Sequence, residues 1–121
     1  NSFREILTKS ELLKSQYLPG GAISSYFTFA ARFDGLDHGI SWDQFRQAFI
    51  NNGGDGIYAA WQLISNEPAL SDDNVGWGET PIAEKLQRRI MQFTSNQRNE
   101  GERHVQQEAL QKTLRQFGEK I

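Results

Sequence analysis

The sequence predicts an all-α fold, a compact orthogonal bundle of five to six short helices with one long loop over about 66–79. Three observations point there. Ser41 and Gln44 stand at capping-box spacing ahead of Trp42, Phe45, Ala48 and Phe49, an apolar line at helical period. Gly53-Gly54 closes that helix, and Asp55 with Ile57, Trp61 and Ile64 reads as a second helix that Pro68 ends. Thr80-Pro81 then opens a third in the preferred manner, with Ile82, Leu86, Ile90 and Phe93 as its apolar line.

The remaining elements follow in order. Ser2 and Glu5 also have capping-box spacing, and Phe3, Ile6, Leu7, Leu13 and Tyr17 make a loose helical stripe. Thr8 with Glu11 offers a competing start, and Pro19-Gly20-Gly21 is a firm stop. The stretch 22–33 is rich in aromatic residues, which favour strands. Its Tyr26, Ala30 and Phe33 nevertheless recur at helical spacing, and Gly35-Leu36 fits a helix end, so a helix is expected. Ile40 and Phe45 are placed as a hydrophobic staple for the helix at 41. Near Asn99 to Gly101 a polar run interrupts the apolar pattern, which predicts a helical hairpin. The last helix, 102–121, has Val105, Ala109, Leu110, Leu114 and Phe117 as its seam and is the part best able to stand apart from a single domain over 1–121.

Length and composition bound the function classes. A chain of 121 residues can bury one core without staples. The absence of cysteine excludes disulfides and thiolate chemistry, and two histidines make a zinc site a poor expectation, so no metal or cofactor is expected. No apolar run approaches the ~20 residues that span a bilayer, so a soluble chain is expected; its compartment is left open, with the cytoplasm slightly favoured. The net charge of −2 is uneven. Residues 31–79 carry two arginines against eight acids, and residues 80–121 carry eight basic against five acidic side chains. Such a dipolar chain is not a nucleic-acid binder by bulk electrostatics.

Several constellations carry chemistry. Residues 33–45, FDGLDHGISWDQF, resemble an EF-hand: a Phe-ended element, a loop with aspartates and glycine, Ile-Ser, and an exiting helix with Phe. Gln44 stands where that family's bidentate glutamate would be, which leaves a polar helix–helix corner rather than a calcium site. Residues 42–65 have the outline of a helix–turn–helix, but its second helix offers Tyr58 and Gln62 and no basic side chain for a base edge or phosphate. Asp34, Asp37 and His38 share one loop, the arrangement of a small hydrolase with a carboxylate-assisted base, but no nucleophile motif accompanies them.

Trp77, in a glycine-flanked loop beside Asp72 and Asp73, has the character of an interface anchor. Lys85, Arg88 and Arg89 form a basic cluster suited to an acidic partner or RNA phosphates. The expectation is a non-catalytic protein–protein interaction or regulatory module, part of a larger chain or assembly. Its binding residues would be Trp77, Asp72, Asp73, Arg88 and Arg89, and it would meet a protein partner or its own copy. A hydrolase using Asp34, Asp37 and His38 is the alternative, and weak nucleic-acid contact through 85–103 is a second.

Overall fold

The chain builds a four-stranded antiparallel sheet with helices packed on one face, as seen in a computed structural model that describes residues 2–59, 63, 66–70 and 78–121. Among the described residues the order is α1 (Ser2–Lys9), β1 (Leu13–Ser15), β2 (Phe29–Phe33), α2 (Trp42–Asn51), β3 (Ile57–Ala59), α3 (Pro81–Gln87), β4 (Ile90–Phe93) and α4 (Glu100–Gln116). Short 3-10 turns at Gly35–His38 and Pro68–Leu70 also lie among the described residues. The strands lie in the order β1-β2-β4-β3, every neighbouring pair antiparallel. The all-α bundle expected from the sequence is therefore corrected to a mixed α/β fold.

Each replaced helix has a local reason. In β2 the burial alternates, with Phe29, Ala31 and Phe33 inward and Ala30 and Arg32 outward. A helix would have buried Ala30 with Phe33. Phe29 and Phe33 are four apart, a spacing that serves period 2 and period 3.6 equally. The first stripe breaks because the Ser10 hydroxyl accepts the Leu12 and Leu13 amides at 3.1 and 3.0 Å, turning the chain from α1 into β1. Leu13 then faces the core as a strand residue, while Tyr17, expected on the same stripe, is exposed.

The helix expected from Asp55 is replaced at its start by β3. Gly56 sits at φ +140°, a conformation that only glycine adopts readily, and delivers Ile57 to the sheet opposite Phe93. Trp61 and Ile64 lie outside the described residues. The apolar line Ile82–Phe93 is likewise divided: Arg88 ends α3, and Ile90–Phe93 form the strand that pairs with both β2 and β3. The hairpin expected around Asn99 is a strand-to-helix turn, and α4 starts where Asn99 accepts the Glu102 amide at 2.9 Å.

Local rules hold where the partner is local. The Ser41–Gln44 capping box forms in both directions, at 3.0 Å from the Gln44 amide to Ser41 Oγ and 2.8 Å from the Ser41 amide to Gln44 Oε1. Ile40 packs half-buried against the core that Phe45 joins.

The core fills the space between the sheet's inner face and three helices. Leu13, Phe29, Ala31, Phe33, Ile57, Met91 and Phe93 project from the strands; Ile6 and Leu7, Phe45 and Phe49, and Ala109, Leu110 and Leu114 come from α1, α2 and α4. Burying these side chains is the main favourable contribution to folding. The buried face of α4 runs through Gln106, Ala109, Leu110, Thr113 and Leu114, so Val105, expected in the seam, is exposed. On the sheet's other face stand Lys14, Ala30, Arg32, Tyr58, Ile90 and Gln92, a polar row broken by small and aromatic residues.

Candidate functional site

At the end of β2 the chain meets the turn between α3 and β4, and four charged side chains come together. Arg32 is one of the two outward residues of β2. Asp34 follows the strand, and its amide donates to the Leu12 carbonyl at 2.8 Å. Arg89 is drawn in because its carbonyl accepts the Phe33 amide at 2.6 Å, extending the β2–β4 ladder by one bond. Asp37 lies on the 3-10 turn, whose entry depends on Gly35: a Cβ there would stand 2.2 Å from Phe33 Cζ.

The four groups form a chain of ion pairs. Arg32 donates from Nε and Nη2 to the two carboxylate oxygens of Asp34, both at 2.8 Å. Arg89 donates from Nη1 and Nη2 to Asp37 at 2.7 and 2.8 Å, and its Nη1 also stands 3.5 Å from Asp34. Both main pairings are bidentate, the geometry in which planar guanidinium and carboxylate match best. The Arg89 hydrogen bonds hold the Asp37 carboxyl below the usual carboxylate range, against a smaller opposing effect of desolvation. The same bonds hold the Arg89 guanidinium charged, and Asp34 does so for Arg32.

This geometry bears on the acid–base reading. A general base works best with a pKa near the working pH. Asp37 is displaced away from that condition, and both oxygens of each aspartate are occupied by guanidinium donors. His38 is exposed at the end of the turn and adds a weak favourable charge interaction with Asp37. The three residues expected together are thus neighbours, but the arginines have organised the two aspartates as a clamp between β2 and the α3–β4 turn, with His38 outside it. The EF-hand likeness meets a structural difference too: Phe33 ends a strand, not a helix. Among the described residues no group of three His, Asp or Glu side chains is arranged to hold a metal ion.

Beside the clamp runs a groove of about 660 Å³, lined by Arg32, Asp34, Asp37 and Arg89 on one side and Pro81, Ile82, Lys85 and Leu86 of α3 on the other. None of the seven described residues of α3 is buried. Ile82 is 75% exposed and Leu86 37% exposed, although both belong to the apolar line expected for one helix. No signal in the sequence separated them from Ile90 and Phe93, with which they share one helical period. Lys85 makes no ion pair or side-chain hydrogen bond among the described residues, so the groove's unpaired charge is positive.

The basic segment expected over 85–103 is not one surface. Lys85 and Arg89 line this groove, Arg103 lines a cleft beside α1, and Arg98 lines a third. Of the expected binding residues, Arg89 lies in the clamp and Arg88 next to it, while Trp77, Asp72 and Asp73 lie outside the described residues. Among the described residues no helix is long and apolar enough to cross a membrane. No protein family matches the chain, and neither a curated protein nor a solved structure does.

Proposed function

We propose that the protein is a non-catalytic protein-binding module whose α3 groove takes an acidic, apolar-anchored segment of a partner protein. One observation carries the reading: a helix with no buried residue keeps Ile82 and Leu86 in solvent in a groove shared with Lys85, a cation with no ion pair among the described residues. Apolar side chains surrounded by charge are what a partner's side chains can desolvate, and the clamp beside them supplies a rigid wall. The two Arg–Asp pairs cancel, so Lys85 sets the sign in the groove and favours an acidic segment.

The reading is tested by selecting displayed random peptides on the wild-type chain, then measuring the enriched peptides by fluorescence anisotropy. Acidic peptides carrying Leu, Ile or Phe should emerge, and Ile82→Ser and Lys85→Glu should each weaken them. Peptides of no particular charge that still bind the Ile82→Ser chain would remove this groove from consideration. A wild-type dimer in solution that the same substitution splits would make the partner a second copy.

A further inference from the structure

A second cleft, of about 900 Å³, opens between α1 and the first turns of α4 on a different part of the molecule. Its volume falls in the range of about 300–1,000 Å³ typical of small-molecule sites. Three aromatic rings line it. Tyr26 stacks on Phe29 with centroids 5.3 Å apart and planes 9° apart, and Phe3 meets Phe29 edge-on at 5.3 Å. Phe3 and Tyr26 remain half-exposed, so the rings present apolar surface to the cleft that the core does not use.

Tyr26 is held there at a cost. Its φ is +48°, the left-handed region that a bulky side chain rarely adopts, and among the described residues it is the sole non-glycine with positive φ. The surroundings impose it: the Ser95 hydroxyl is shared between the carbonyls of Tyr26 and Phe27 at 2.6 and 2.7 Å, and the Tyr26 amide donates to Ser24 Oγ at 3.1 Å. Backbone strain of this kind clusters where a side chain has to be presented in one place.

The polar lining has a definite sign. Arg4 and Arg103 both line the cleft, and neither has an ion pair or side-chain hydrogen bond among the described residues. Gln106, 7% exposed, also lines it. Its Oε1 accepts the Asp55 amide at 2.8 Å, which leaves the Nε2 donors without an acceptor among the described residues. That nitrogen is not sealed from solvent, so its donors are open to a ligand. Glu100 is the cleft's acid, so cationic donors outnumber it.

We propose that this cleft is a binding site for a small aromatic acid, a planar ring carrying a carboxylate. The ring lies against Tyr26, Phe29 and Phe3, and the carboxylate takes the free guanidinium donors of Arg4 and Arg103 together with the Gln106 amide. A bare anion would leave the rings wet, and a neutral arene would leave the guanidinium groups without a counter-charge. The site is separate from the α3 groove and stands or falls independently of it.

The test uses naphthalene-2-carboxylate and its neutral analogue naphthalene-2-carboxamide, titrated into the full chain by calorimetry and followed by backbone amide shifts. The acid should bind about tenfold or more tightly than the amide, the worth of one charge-assisted contact. Shifts should centre on Phe3, Tyr26, Phe29 and 101–107. Arg4→Gln and Arg103→Gln, which remove no side-chain hydrogen bond or ion pair among the described residues, should each weaken the acid and leave the amide unchanged. Tyr26→Gly, whose backbone accepts the left-handed conformation, should stay folded and lose the acid. Equal affinities for acid and amide, indifference to both arginine substitutions, or no shifts in the cleft at millimolar acid would each overturn the proposal.

Discussion

Arg89 and Asp37 are joined by two parallel hydrogen bonds, at 2.7 and 2.8 Å, across 52 positions of sequence. The pair ties the 3-10 turn after β2 to the turn before β4. It converts two residues that read separately, one as a binding cation and one as a catalytic acid, into a single structural unit beside the groove.

The pair sets a pH dependence whose sign follows from the lowered Asp37 carboxyl. A carboxylate with a folded-state pKa below its unfolded value stabilises the fold fully above that unfolded value, about 3.9, and loses the contribution as pH falls through the folded-state value. The effect on stability is small because Asp37 is 61% exposed. Side-chain carboxyl shifts followed by NMR should show Asp37 titrating below the normal range, and Arg89→Gln should move its midpoint upward. An unmoved midpoint would mean that Arg89 does not hold it.

Gly35→Ala should destabilise the fold by about 1–3 kcal/mol, the usual cost of overpacking. The added methyl would stand 2.2 Å from Phe33 Cζ, and Phe33 is fully buried with little room to yield. Urea unfolding measures it; a midpoint equal to wild type would contradict the close approach.

Two helix starts with similar sequence signals should respond differently. Ser41→Ala removes a side chain that accepts the Gln44 amide and should cost about 1 kcal/mol. Thr80 makes no such bond at the start of α3, so Thr80→Ala should cost much less. Equal losses in urea unfolding would show that the capping geometry is not what matters.

Ile82→Ser should leave the unfolding free energy within about 0.5 kcal/mol of wild type, as for an exposed position away from structural features. Peptide binding to the α3 groove should fall in the same variant. A large stability loss would mean instead that Ile82 serves the fold.

The sequence signals that proved reliable are those whose hydrogen-bond partners lie within one turn of chain. Ser41 and Gln44 satisfy each other three residues apart, and α2 forms where the pattern places it. The signals that misled were apolar residues four apart. Phe29 and Phe33 suit a helix or a strand alike, and strands of three to five residues hold too few alternations to separate the two periods. Strand propensity in 22–33 was visible but had no recognisable pairing partner, because its partner β4 was read as the continuation of α3.

The candidate site was legible to a similar depth. Asp34, Asp37, Arg88 and Arg89 were marked by residue type, yet nothing in their spacing indicated that Arg89 would take both oxygens of Asp37 or that Arg32 would take those of Asp34. Ile82 and Leu86 fall on one apolar line with Ile90 and Phe93, but exposure is not written in a helical period. It depends on what packs alongside.

The Ser41 capping box, the glycine stop after α2, the lack of cysteine and the uneven charge belong to the chain alone, since each depends on residue type and near neighbours. The sheet, the inward row Phe29–Phe93–Ile57, the Arg–Asp clamp and the exposure of α3 came only with the tertiary structure. A strand's backbone hydrogen bonds, and a guanidinium's choice of carboxylate, are satisfied by groups tens of residues away, and distance in sequence carries no record of which ones will meet.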